Sequence, residues 1–185
     1  MNSDSDSPEI VLLGVGNALH TDDGAGPYLA DLISDEKNPK ISAFNCGTAP
    51  ENFTGVVRRL HPKHLIIADA ALMNEKPGTL RRIPAEKIED TAVGTHMLSL
   101  SHLVRYISDA AETVTLIGIQ PESLDDGDGL CQDVEKAVCF LKEICLFGRI
   151  EEIPLMQLPS DHTFFKTLCL YSESNSQKEI TVDLY

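Results

Sequence analysis

Short apolar, β-branched runs recur along the chain at Ile10 to Val15, Ile41 to Cys46, Leu65 to Ala70, Leu80 to Ile83 and Val114 to Ile119, and each reads as a strand. Between several of them the apolar residues fall at helical spacing. Asp23 to Ile33 carries Tyr28, Leu29, Leu32 and Ile33 on one stripe, Pro50 to Leu60 and Leu98 to Ala110 read the same way, and Cys131 to Phe147 aligns Val134, Val138, Leu141 and Cys145. Gly148 is placed to end that last helix. Parallel neighbours need a crossover of about a dozen residues or more, so strands alternating with helices predict an α/β fold: a three-layer α/β/α sandwich around a mostly parallel, twisted sheet of about five strands.

A chain of 185 residues suits one compact domain. The reading places a polar N-terminal segment at 1–9, the α/β domain at 10–149 and a C-terminal extension of uncertain structure at 150–185. In that extension Ile150 to Leu158 is apolar with Pro154 and Pro159, and "YSESNSQKEITVDLY" is a polar piece with a strand-like end, expected to be mobile over Ser172 to Lys178.

Composition narrows the partners. With 15 Lys plus Arg against 29 Asp plus Glu, the net charge of -14 repels nucleic-acid phosphates and anionic lipid, so neither nucleic acid nor membrane is expected as a partner. The opening "MNSDSDSPEI" lacks a signal pattern, no apolar run approaches the ~20 residues of a membrane helix, and the five cysteines are odd in number and never spaced C-x-x-C. A cytoplasmic protein with reduced thiols is expected.

The first turn, "GVGNALHTDDGAGP", starts like a dinucleotide fingerprint, but position 19 is Leu rather than the third Gly, and Asp22 and Asp23 would repel a pyrophosphate. The two acids could simply cap the following helix. Asp69, however, ends the apolar strand "HLIIADA", and strand ends at the carboxyl edge of a parallel sheet line the crevice where ligands bind. His96, in "GTHMLSL", stands just before a helix, where imidazole near its usual pKa of about 6.5 can be neutral and bind a metal. Asp23, Asp69 and His96 together offer two oxygens and a nitrogen, with positions left open for a substrate group on a divalent transition metal.

"GVGNALHTDDGAGP", "CGTAPEN", "HLIIADA", "PGTLRRIP", "THMLSL" and "LIGIQPE", in this order from Ile10 to Phe147, resemble the nickel-iron hydrogenase maturation endopeptidases, close to the branch that serves formate-hydrogenlyase-type hydrogenases. The resemblance implies a peptidase that clips the C-terminal extension from the precursor of a nickel-iron hydrogenase large subunit after nickel insertion. It also implies that Asp23, Asp69 and His96 are the catalytic and metal-contacting residues, and that nickel arrives with the substrate, leaving the free enzyme metal-free. The chain departs from the family's usual Asp-Gly-Gly after the second strand: it has Asn45-Cys46-Gly47, and Asn cannot act as a carboxylate.

Other residues offer less. Cys46 could be a nucleophile but reads first as packing, and no G-x-S-x-G elbow is present, which leaves a metal-linked water attack as the expected chemistry. "PESLDDGDGL" lacks the register of a calcium loop and reads as a solvated rim, while Gln120 and Glu122 could contact the precursor or only bond the turn. A non-proteolytic nickel sensor or metallochaperone with the same ligands is the alternative, separable only by precursor cleavage. A dinucleotide enzyme, the third reading, would bind NAD or FAD saturably.

Overall fold

The computed structural model describes residues 7–84 and 97–157, with the backbone alone for 97–101. The elements are β1 (Ile10–Val15), α1 (Ala25–Asp35), β2 (Ile41–Gly47), α2 (Thr54–Leu60), β3 (His64–Ala70), β4 (Leu80–Ile83), α3 (Met97–Ile107), β5 (Thr113–Ile119) and α4 (Gln132–Leu146). They form a five-stranded sheet in the order β2-β1-β3-β5-β4, parallel except for β4.

Alternation along the strands divides the interior into two cores. Val11, Leu13 and Val15 of β1, with Leu65 and Ile67 of β3, face α2 and α3 through Val57, Leu103, Val104 and Ile107. Leu12, Ile66 and Ala68 face the other way, against Leu29 and Ile33 of α1 and Val134, Val138 and Leu141 of α4. Burial on both faces is why these strands read as unbroken apolar runs, and it makes the three-layer sandwich expected from sequence.

Only residues 71–79 join β3 to β4, too few for a helical crossover, so the chain turns back and β4 runs antiparallel to β5. The connection passes over the end of β5, with Ala71 N–H donating to Ile119 O at 2.9 Å and Gln120 N–H to Thr79 O at 2.9 Å. The outer edge of β4 is covered in turn by residues after α4. Arg82 N–H donates to Pro154 O at 2.9 Å, Met156 N–H donates to Arg82 O at 2.8 Å, and Ile150, Ile153 and Met156 are buried. The domain's packing therefore continues past Gly148 as far as Met156. The Ser172 to Lys178 stretch lies outside the described residues.

Three of the expected helices differ at their ends. The first begins only at Ala25, after a 3-10 turn at Thr21–Gly24, because the Asp22 and Asp23 carboxylates bond elsewhere rather than cap it. The second is split into a 3-10 turn at Pro50–Phe53 and α2, and α3 stops at Ile107, short of Ala110.

Candidate functional site

The sheet order places β1 between β2 and β3, so the chain leaves β1 to one side and later crosses to the other. That reversal opens a crevice at the carboxyl ends of β1 and β3. Glycines let the backbone close over it. Gly16 has φ of 137°, and a Cβ there would stand 1.8 Å from Asp23 O; a Cβ on Gly26 would stand 2.2 Å from Val15 O and 2.5 Å from Ala68 O. The start of α1 is thus pressed onto the ends of both strands, and the Thr21–Gly24 turn is held above them.

Asp69, next to last in β3, is 1 % exposed, and among the described residues neither of its carboxylate oxygens accepts a hydrogen bond. Burial pushes its pKa well above the usual carboxylate range, and the nearby charge of Asp23 pushes it further. The adjacent Ala70 N–H offsets part of this without reaching hydrogen-bonding geometry. Asp23 is also buried, and its Oδ2 accepts the Asn17 N–H at 2.8 Å. Two of the three residues proposed from sequence are therefore neighbours in one crevice.

The third, His96, lies outside the described residues. The helix that follows it begins at Met97 and leads to Thr113, the first residue of β5, which pairs with His64 at the opposite end of β3 from Asp69. Among the described residues no group of three or more His, Cys, Asp or Glu side chains gathers around a point.

Asp22 is adjacent to Asp23 but has a different task. Its Oδ1 accepts Cys131 N–H at 2.7 Å, and its Oδ2 accepts Glu122 N–H at 2.8 Å and Ser123 N–H at 3.3 Å. With its acceptor positions used by backbone donors, it joins the first turn to the loop after β5. Thr21 reinforces this join: its Oγ1 donates to Ser123 O at 2.9 Å and Asp125 O at 3.2 Å, and its N–H donates to Gly127 O at 3.0 Å. Thr21 holds φ of 29°, a left-handed conformation that costs a β-branched residue about 1–3 kcal/mol. Sequence reasoning missed Thr21; a β-branched residue at positive φ has no sequence signature, because the conformation is imposed by contacts about a hundred residues away in the chain.

The remaining candidates resolve into structural roles. Cys46 is buried, its thiol donates to Phe44 O at 3.4 Å, and burial pushes its pKa up to about 12, so it forms no thiolate near neutral pH. The Gln120 amide is buried, accepting the N–H groups of Met73 and Glu75 and donating to Pro121 O, so it bonds the turn; Glu122 is exposed. Asn45 donates from Nδ2 to both Asp31 oxygens, at 3.2 and 3.0 Å, and accepts Gly47 N–H. A neutral amide suits that position, since a carboxylate there would face Asp31. The acidic rim is tied by Ser123 Oγ donating to Asp125 at 2.8 Å, and His20 Nε2 lies 3.2 Å from an Asp126 carboxylate oxygen.

The crevice's donor set suits a divalent cation. A buried carboxylate with a raised pKa and no donor among the described residues, beside a second carboxylate, is costly by itself and is relieved by positive charge.

Comparison with known proteins points to one group. Residues 28–146 match the HycI hydrogenase maturation protease family model, a range that begins just after Asp23. The chain is similar to the Hydrogenase 3 maturation protease of Escherichia coli K12, at 34% identity over 129 residues covering 69% of this chain and 83% of that protein. It is also similar to the Hydrogenase 2 maturation protease of the same strain, at 29% over 138 residues, 70% of this chain and 83% of that one. Among solved structures, a Hydrogenase 3 maturation protease superposes with a TM-score of 0.74 at 30% identity, over 83% of this chain and all of that one. The NiFe hydrogenase maturation protease HycI of Thermococcus kodakarensis KOD1 superposes with a TM-score of 0.68 at 27% identity, over 77% and 93%.

Proposed function

Since the chain belongs to the hydrogenase maturation protease family and is therefore a peptidase, we propose that it removes the C-terminal extension of a nickel-iron hydrogenase large-subunit precursor, recognising the nickel already inserted there. The observation that carries the nickel reading is Asp69: a fully buried carboxylate without a donor among the described residues, at the topological switch point, beside Asp23. A precursor that presents a metal ion to this crevice supplies positive charge beside Asp69, whose oxygens accept no hydrogen bond among the described residues. Asp23 and Asp69, with His96 as the third ligand, then hold the metal-bearing end of the precursor so that the adjoining peptide bond lies at the crevice mouth.

The nucleophile in this reading is water. Cys46 remains a thiol and bonds to Phe44 O within the core. No helix among the described residues is long and apolar enough to cross a membrane, which suits an enzyme that meets its precursor in the cytoplasm.

Incubation of the purified enzyme with nickel-loaded and nickel-free precursor, followed by mass measurement of the released peptide, tests this directly. Cleavage of the nickel-loaded form is expected to be faster by at least about 100-fold, or about 2.7 kcal/mol in the barrier, and Asp23→Asn is expected to lose it. Equal cleavage of both forms would sink nickel recognition. Nickel binding without any released peptide would instead mark a nickel carrier.

A further inference from the structure

The turn that carries Asp23 is held from two directions. On one side Asn17 N–H donates to Asp23 itself. On the other, the side chains of Thr21 and Asp22 and the Thr21 N–H bond to residues 122–131, with Gly127 N–H donating back to Leu19 O at 3.0 Å. Gly127 fits so closely that a Cβ there would stand 2.9 Å from Thr21 Cγ2.

We propose that Thr21 and Asp22 are positioning residues for the cleavage reaction: by strapping a strained turn to the loop after β5, they fix Asp23 opposite Asp69. The proposal rests on the reading of Asp23 and Asp69 as the pair that engages the precursor's nickel.

Three features separate this from simple adhesion of the fold. First, the loop's neighbours are anchored without it, because β5 lies inside the sheet and α4 is buried through Val134, Val138, Leu141 and Ile144. Second, the strap maintains an unfavourable conformation. Thr21 at φ of 29° is a β-branched residue in the left-handed region, and a turn freed from Ser123, Asp125 and Gly127 would relax toward ordinary backbone angles. Two residues later that relaxation reaches Asp23. Third, Asp22 is 1 % exposed and its side-chain oxygens accept three backbone N–H bonds from residues 122, 123 and 131, which commits them to the loop after β5. The adjacent acids divide the work: Asp22 holds the turn and Asp23 meets the metal. Strain stored beside reacting groups and maintained by distant contacts is how a site keeps ligands preorganised.

The test compares wild type, Thr21→Val, Thr21→Ser, Asp22→Asn and Asp69→Asn on nickel-loaded precursor, at a temperature where thermal unfolding shows every variant folded. Thr21→Val removes the hydroxyl bonds at nearly constant volume, and its kcat is expected to fall roughly tenfold with KM within about twofold of wild type. Thr21→Ser keeps the hydroxyl and is expected to restore kcat to within about twofold. Asp22→Asn, which sets an amide N–H₂ or a weaker oxygen against three donors, is expected to lose at least as much kcat as Thr21→Val. If Asp22→Asn does not fold, the Thr21 pair decides alone. Wild-type kcat in Thr21→Val, or a loss confined to KM, would overturn the proposal, leaving Thr21 a stabilising or precursor-docking residue. A wild type that leaves nickel-loaded precursor intact, or an active Asp69→Asn, would overturn the underlying reading and the strap's role with it, a result distinct from one in which only the Thr21 series fails.

Discussion

Asp69→Asn is expected to abolish precursor processing, by more than about 100-fold, while raising the melting temperature of the free enzyme. Loss of a group that only orients a metal ligand already costs about 10–100-fold, so on the proposed role of Asp69 as a ligand its loss should exceed that range. The gain in stability has a separate origin. In the free protein Asp69 is buried, accepts no hydrogen bond among the described residues and feels the charge of Asp23. Its folded-state pKa is therefore raised above its unfolded value. A carboxyl group shifted in this direction stabilises the fold fully when protonated in both states, below the unfolded pKa, and that contribution is lost as pH rises through the folded pKa. Near neutral pH the wild type bears part or all of that loss, whereas the asparagine variant does not titrate. The stability advantage of Asp69→Asn should thus grow with pH across the window from the normal carboxylate pKa up to the raised one, and vanish in acid. Each kcal/mol relieved raises the melting temperature by about 2–4 °C in a chain of this size. Calorimetric scans of both proteins over a pH series, beside a cleavage assay, check both halves. A variant that melts lower than wild type at every pH would mean that the Asp69 carboxylate is stabilised in the free protein.

Gly26→Ala is expected to damage stability and activity together. The added methyl would stand 2.2 Å from Val15 O, 2.5 Å from Ala68 O and 2.7 Å from Val15 N, all of them backbone atoms of central strands. No side chain can move aside, so α1 must lift from the sheet by about an ångström, at the upper end of the usual 1–3 kcal/mol for overpacking. That predicts a melting temperature lower by about 6–12 °C. Because α1 continues directly from the Thr21–Gly24 turn, the shift displaces Asp23, and a misplacement of about 1 Å can cost roughly 100-fold in rate. Gly55→Ala is the matched comparison: no atom lies within 4 Å of a Cβ there, the residue is exposed in α2, and alanine should stabilise by about 0.5–1 kcal/mol. Similar melting temperatures for the two variants would show that the contact of α1 with β1 and β3 has room to give.

The sheet was legible because its strands are local patterns. Ile10–Val15 and Leu80–Ile83 stand at the residues their apolar runs mark, and β2, β3 and β5 exceed the expected ends by a residue. Asp69 was legible for a related reason, since a charge that ends a buried strand has few places to go. The antiparallel direction of β4 was not legible, as it depends on the length of the connection and on β5 arriving later to fill the gap. The task of Asp22 was not legible either. Two acids before a helix look like caps by local rules, yet Asp22 is used by amides at 122, 123 and 131, which no window of sequence around it contains. Asn45 presents the same lesson on a smaller scale, because its suitability depends on Asp31 across the α1–β2 contact.

The closing of the sheet's edge by residues 154–156 bears on how the chain is made and how it can fail. An unpaired strand edge is a template for joining another chain. During synthesis β4 emerges long before Pro154 and Met156, so its outer hydrogen-bonding groups at Arg82 wait for partners about seventy residues downstream. A chain interrupted after α4 would contain the five strands and four helices of the described residues yet leave that edge open, with the apolar surface normally covered by Ile150, Ile153 and Met156 beside it. The segment at 150–156 therefore acts as a completeness check: until it docks, a molecule with the described strands and helices in place still presents a surface on which copies can associate.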